Sequence, residues 1–209
     1  MKSPYDYIVK PYGNRYNNSI SIGDKSLITN TEASDHRHIN RIAEVIQTPI
    51  HNVLPIKNGD KIILHHNVFR RMLTIKGKEV NARSFLNEDE FIIRPDQVFM
   101  YKRSEKWSRF KESKWQCVKG YTFIQPVKNK DIFSLDKEEP MKGIIRYIDE
   151  TALDMGLNIG DLVGFQPYSD YEFIVDGVRL YRVYSEDITI SYEYKGDEEA
   201  YNPSWAEGS

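Results

Sequence analysis

Five histidines, one cysteine and a Ser-Asp-His run are the side chains of this 209-residue sequence best suited to catalysis or metal binding. His36 and His38 share a polar stretch, His51 stands alone, and His65 and His66 are adjacent. Imidazoles hold zinc when three or four ligands converge, usually together with thiolates or carboxylates. Cys117 is the single cysteine and lies in another segment, which excludes a multi-cysteine zinc site and an intramolecular disulfide. On a strand, His65 and His66 would point to opposite faces and not share a metal. Ser34, Asp35 and His36 are consecutive in a polar loop, with nothing that marks the strained turn of an exposed nucleophile. Gly156, Gly160 and Gly164 recur at even spacing, unlike the Gly-x-Gly-x-x-Gly of a dinucleotide site. The chain is expected not to be an enzyme, and to need no metal or cofactor.

A second chemistry is nucleic-acid binding. Lys102, Arg103, Lys106, Arg109, Lys111 and Lys114 interleave with Trp107, Phe110 and Trp115, a mixture on which bases can stack. The plainer reading is a charged linker whose tryptophans pack on neighbouring domains. The formal net charge of −2 favours it, because a protein that reads phosphates usually carries a clustered cationic excess. No nucleic-acid partner is expected. Apolar runs fall far short of the ~20 residues that span a bilayer, and no secretory pattern opens the sequence. A soluble protein in a reducing cytoplasm is expected, with no membrane partner.

The elements that hold these residues read as strands. Fourteen tyrosines and nine phenylalanines, with many Ile and Val, favour pleated structure over helix. Around "HINRIAEVIQ" the periodicity fits a helix or a strand equally well. An internal repeat decides it. "YIVKP" (Tyr7 to Pro11), "AEVIQ" (Ala43 to Gln47), "IKNGDKIIL" (Ile56 to Leu64) and "IIRPDQVFM" (Ile92 to Met100) recur in order. Their counterparts are "TFIQP" (Thr122 to Pro126), "KGIIRYI" (Lys142 to Ile148), "LNIGDLVGF" (Leu157 to Phe165) and "YRVYSEDITI" (Tyr181 to Ile190). The match makes "AEVIQ" a strand. Glycine turns at Lys76-Gly77 and Asp176-Gly177 add two hairpins. The expected fold is all-β: residues 1–103 form one small barrel, 104–114 a linker, 115–195 a second barrel, and 196–209 a loose acidic tail.

The arrangement resembles the GroES-type co-chaperonin family, as a divergent tandem duplication. In the first half the resemblance rests on Ile8, Val9, Lys10, Pro11, Glu44, Val45, Pro55, Gly59, Asp60 and Ile62. In the second it rests on Phe123, Pro126, Gly143, Gly160, Asp161, Val163, Phe165, Glu186, Asp187 and Ile188. A Gly-Asp turn alone suits any small barrel; the order of the blocks carries the likeness. The resemblance implies GroES-like β-barrels that assemble as a ring and cap an ATP-bound GroEL-type chaperonin. It also implies edge positions for "YIVKP" and "YRVYSEDITISY", through which neighbouring subunits pair.

In that family a long loop binds the chaperonin by a short apolar segment. The matching loop here spans 12–39, is rich in Asn and Ser, and has too little apolar surface to order by itself. Leu27 and Ile28 would be its anchor; Ser26 stands where the family usually has a third apolar residue, and Ile20 and Ile22 form a second candidate. The shorter loop of the second half offers Ile132, Phe133 and Leu135, and its length points to a scaffold role. Short connections before both Gly-Asp turns suggest a cap with an open top, as in divergent phage-encoded co-chaperonins, which would work in the host cytoplasm. Two alternatives share the duplication: a tandem-barrel structural or virion-associated protein, and a single-stranded nucleic-acid-binding barrel.

Overall fold

The computed structural model describes residues 2–16, 19–22, 25–28, 39–107, 113–131, 133–193 and 196–207; for 19–22 and 25–28 it describes the backbone only. The chain divides into two compact units, Met1–Trp115 and Gln116–Ser209. Strands dominate both, as the composition predicts.

The first unit contains β1 (Tyr7–Pro11), β2 (Ser19–Ile22), β3 (Lys25–Ile28), β4 (Ile42–Gln47), β5 (Lys61–Leu64), β6 (Arg71–Leu73), β7 (Glu79–Asn81), β8 (Phe85–Asn87), β9 (Glu90–Ile93) and β10 (Val98–Lys102). Its main ladder runs β10-β5-β4-β1-β9-β8, all antiparallel where paired. A short strand, β11 (Trp115–Cys117), spans the division. The second unit contains β12 (Tyr121–Lys128), β13 (Glu138–Tyr147), helix α1 (Glu150–Asp154), β14 (Leu162–Phe165), β15 (Tyr171–Val175), β16 (Val178–Tyr184) and β17 (Ile188–Tyr192). Its ladder runs β17-β14-β13-β12-β16-β15, the order of the first unit strand for strand.

The registers agree as well. Val9 opposes Val45 and Pro11 opposes Ala43; Ile124 opposes Ile145 and Pro126 opposes Gly143. Both pairs shift register one residue before that match, at Ile8/Val9 and at Phe123/Ile124. Both Gly-Asp turns are built alike. Gly59 and Gly160 adopt φ of +87° and +97°, a region that glycine enters without steric cost. Their amides donate to Val45 O and Ile145 O, and those residues' amides donate to Asp60 O and Asp161 O. The aspartate carboxylates then accept the amides of Lys57 and Asn158, each at 2.8 Å.

Matched positions fill matched cores. Val9, Val45, Ile62, Leu64, Phe91, Ile93 and Val98 are buried in the first unit, and Ile124, Ile145, Val163, Phe165, Tyr181, Val183 and Ile188 in the second. Each such side chain contributes roughly 1.5–3 kcal/mol on burial.

Four expectations change. "YIVKP" is not an edge: β1 pairs with β4 on one side and β9 on the other, which satisfies both of its backbone edges, and Tyr7, Ile8 and Val9 are all buried. In the second unit β16 is likewise internal, while β15 and β17 end the ladder. Neither ladder closes on itself among the described residues, so the sheets are open rather than hydrogen-bonded barrels. The acidic tail is docked over its described part, 196–207. Val127 bridges Ala200, the Lys128 amide donates to Glu199 O at 2.8 Å and the Tyr201 amide to Pro126 O at 2.8 Å. Lys130 and Lys142 clasp Glu198, and Ala206 is fully buried. Finally, β5 stops at Leu64, so His65 and His66 leave the strand and their rings stack 4.4 Å apart instead of pointing to opposite faces. No described helix is long and apolar enough to cross a membrane.

Candidate functional site

The two ladders differ mainly in what leaves them. The connection β1→β4 carries the long excursion that the sequence singles out, and β12→β13 carries the short one. These two excursions form the candidate site.

The stem of the long excursion is closed by backbone pairing and one buried asparagine. Tyr12 N donates to Ile42 O at 2.9 Å, Asn40 N donates to Arg15 O at 3.1 Å, and Tyr16 bridges Ile39. The Asn40 side-chain amide donates to Tyr12 O and Asn14 O, and its oxygen accepts the amide of Ile42, which uses the polar capacity of a residue only 4% exposed. Beyond the stem, β2 and β3 form a hairpin that sets Ile20 against Leu27, Ser21 against Ser26, Ile22 against Lys25 and Ser19 against Ile28. Both candidate anchors therefore belong to one two-stranded element. The side chains of Ile20, Ile22, Ser26, Leu27 and Ile28 lie outside the described residues, as do Ser34, Asp35, His36 and His38.

Arg15 fastens this stem. Its Nε donates to Phe69 O at 2.5 Å, one terminal nitrogen to Asn81 Oδ1 at 2.7 Å and the other to Arg70 O at 3.2 Å. The guanidinium lies 4.9 Å from the centre of the Phe91 ring. Burial, and then the neighbouring Arg71, lower its pKa from the usual guanidinium value, though such a group stays charged near neutral pH.

The short excursion is a compact turn. Asn129 N donates to Lys137 O, Asp131 N to Asn129 Oδ1, Phe133 N to Asp131 Oδ1 and Asp136 N to Ser134 Oγ. It lifts Phe133 and Leu135 fully into solvent, at 95% and 99% exposure; Ile132 lies outside the described residues. Arg179 holds its exit: the guanidinium pairs with Glu138 and Glu172, and Tyr181 donates to Glu138. Lys128 and Lys130 hold its entry against the tail carboxylates of Glu199 and Glu198. A Phe and a Leu two residues apart thus stand out together from one turn.

Other candidate chemistry disperses. The His65 Nδ1 accepts the Asn67 amide, and among the described residues no three metal-ligating side chains gather. Burial, and next the Asp149 carboxylate, push the Cys117 thiol well above its ordinary pKa, the opposite of an activated nucleophile. The described parts of the cationic-aromatic segment pack on the first unit. Trp115 is buried, Trp107 donates to Asn58 O at 2.8 Å, and Arg103 pairs with the buried Asp60 at 2.7 Å. Arg109, Phe110 and Lys111 lie outside the described residues.

Sequence reasoning missed three features of this region. Arg15 left no motif, since its partners are backbone carbonyls and one asparagine. The docked tail was misread from its charge, although Lys128, Lys130 and Lys142 were there to receive it. The hairpin β6–β7 was visible as a turn, but nothing in a single sequence marks a strand pair as fully exposed. Comparison of the chain with protein-family models and with curated proteins returns no match.

Proposed function

We propose that this chain is a co-chaperonin of the GroES type in which one module is written twice. It caps an ATP-bound GroEL-type chaperonin through its two excursions and assembles into a ring in the cytoplasm. One observation carries the reading: two ladders with the same strand order and register each send out an excursion at the same connection, and the described one presents fully exposed Phe133 and Leu135. Leu27 and Ile28 are the matching anchor in the first excursion. Two apolar side chains buried on a partner contribute roughly 1.5–3 kcal/mol each. Linking many such sites in a ring raises the avidity of weak single contacts. The outer strands β15 and β17, rather than β1, are the edges that neighbouring subunits would pair in closing the ring.

The test is capture of the purified chain by an ATP-loaded GroEL-type chaperonin. Wild type is expected to co-sediment. Leu27→Ser with Ile28→Ser, and separately Phe133→Ser with Leu135→Ser, are expected to cut capture at least tenfold each while leaving thermal melting unchanged. Wild-type capture by both double variants would sink the reading and favour a tandem structural protein.

A further inference from the structure

The first unit has one element that the second lacks. Between β14 and β15 the chain makes a short polar turn, Gln166 to Asp170, whereas between β5 and β8 it extends the hairpin β6–β7. Every residue from Arg71 to Asn81 is exposed, including Met72, Leu73, Ile75 and Val80. The segment from His66 to Ser84 carries Arg70, Arg71, Lys76, Lys78 and Arg83 against Glu79 alone, in a chain whose net charge is −2. The inserted segment thus carries a local cationic excess.

Among the described residues only Arg71 is neutralised, by Glu79 at 3.4 Å. The side chains of Arg70, Lys76, Lys78 and Arg83 have no partner among the described residues, and the Nε of Arg70 is buried without an acceptor. Arg70 and Arg83 line one groove of about 540 Å³ at the hairpin base, with Asn67, Gln97, Met72 and Ile92. The Arg70 Nε is closed to solvent, so a carboxylate would meet the two guanidiniums at their terminal nitrogens, whose planar geometry it fits. Among the described residues the hairpin is a two-stranded sheet with no further strand paired to it, and such a ribbon is marginal alone.

We propose that β6–β7 docks an extended acidic segment of a partner protein, which adds as a third strand and places carboxylates on Arg70 and Arg83. Side chains of an added strand alternate between faces. The hairpin's apolar residues do the same: Met72 opposes Val80, while Leu73 opposes Glu79 on the other face. That split suits a strand better than a membrane, which would wet one apolar face. No aromatic side chain lines the groove to stack a base, which argues against nucleic acid. The hairpin is fastened to the stem of the long excursion through Arg15 and Tyr16, but its docking of an acidic strand does not depend on the chaperonin reading.

The experiment is fluorescence anisotropy of the full chain with a labelled decapeptide alternating glutamate and valine. Parallel titrations use the lysine-valine peptide, an oligo-dT strand and phosphatidylserine vesicles. Saturable binding of the glutamate peptide alone is expected, weakening by about tenfold or more in Lys76→Glu/Lys78→Glu/Arg83→Glu and on raising salt. These three side chains are exposed, so the melting curve and chaperonin capture of that variant should match wild type. Absence of saturable binding, wild-type affinity in the triple variant, or preferential binding of oligo-dT or vesicles would each overturn the proposal.

Discussion

The guanidiniums of Arg15 and Arg179 each lie 4.9 Å from an aromatic ring, Phe91 in the first unit and Tyr181 in the second. Those rings hold the same place in the two ladders, Phe91 opposite Val9 and Tyr181 opposite Ile124. The arginines arrive from different directions, Arg15 from the long excursion and Arg179 from β16 itself. In both units a cation over that ring also grips the base of the excursion, through carbonyls in one case and carboxylates in the other.

Replacing Arg15 by Ala is expected to lower stability by roughly 2–4 kcal/mol, since it removes three hydrogen bonds from a charged donor and bares partly buried carbonyls. The measurement is a denaturant titration. Arg15→Lys should recover little, because an ammonium cannot span Phe69 O, Arg70 O and Asn81 together. Protease cutting between β1 and β4 should quicken in both variants.

Acid should loosen the second unit through Asp149. Burial alone would raise this carboxyl's pKa, but hydrogen bonds from Ser185, Gly120, Ala152 and Thr151 outweigh it and hold the pKa below its ordinary value. A depressed folded pKa contributes stability that is present above the unfolded value, about 3.9, and lost as pH falls through the folded one. Wild type should therefore melt at progressively lower temperature below about pH 4. Asp149→Asn should be less stable at pH 7 and show a flatter acid limb; equal acid limbs would refute this role.

Removing residues 196–209 should destabilise the second unit by about 2–4 kcal/mol. The cut deletes the backbone bonds to Pro126 and Lys128, the Glu198 pairs with Lys130 and Lys142, and the buried Ala206. It also bares part of β12, so light scattering should report association. Thermal melting at low and high salt separates the contributions: the ion pairs weaken with salt and the backbone bonds do not.

Much of this fold was legible because local and tertiary signals agree. Glycine and aspartate at 59–60 and 160–161 demand the same turn, and the apolar residues flanking them alternate in step with the same neighbours. "AEVIQ" by itself fits a helix or a strand, and its likeness to the end of β13 decides for the strand. What stayed hidden depends on contacts distant in sequence. The central place of β1 follows from its pairing with β4 and the later β9, which "YIVKP" by itself does not announce. The docking of the tail depends on three lysines some sixty residues upstream. The candidate anchors in the excursions rest on apolar residues in polar surroundings, whereas the stems that fasten the excursions rest on Arg15, Asn40 and Arg179, whose partners no spacing reveals.

The grip of Arg15 also has a mechanical side. One rigid planar group is tied at once to the strand entering the β6–β7 hairpin, through Phe69 O and Arg70 O, and to the strand leaving it, through Asn81. A tug on the long excursion is therefore shared among several bonds acting in parallel, which must yield together rather than one after another. Pulled from its tip, the excursion should give way in a single sharp step, and a load hung on the hairpin should be felt at the same fastener.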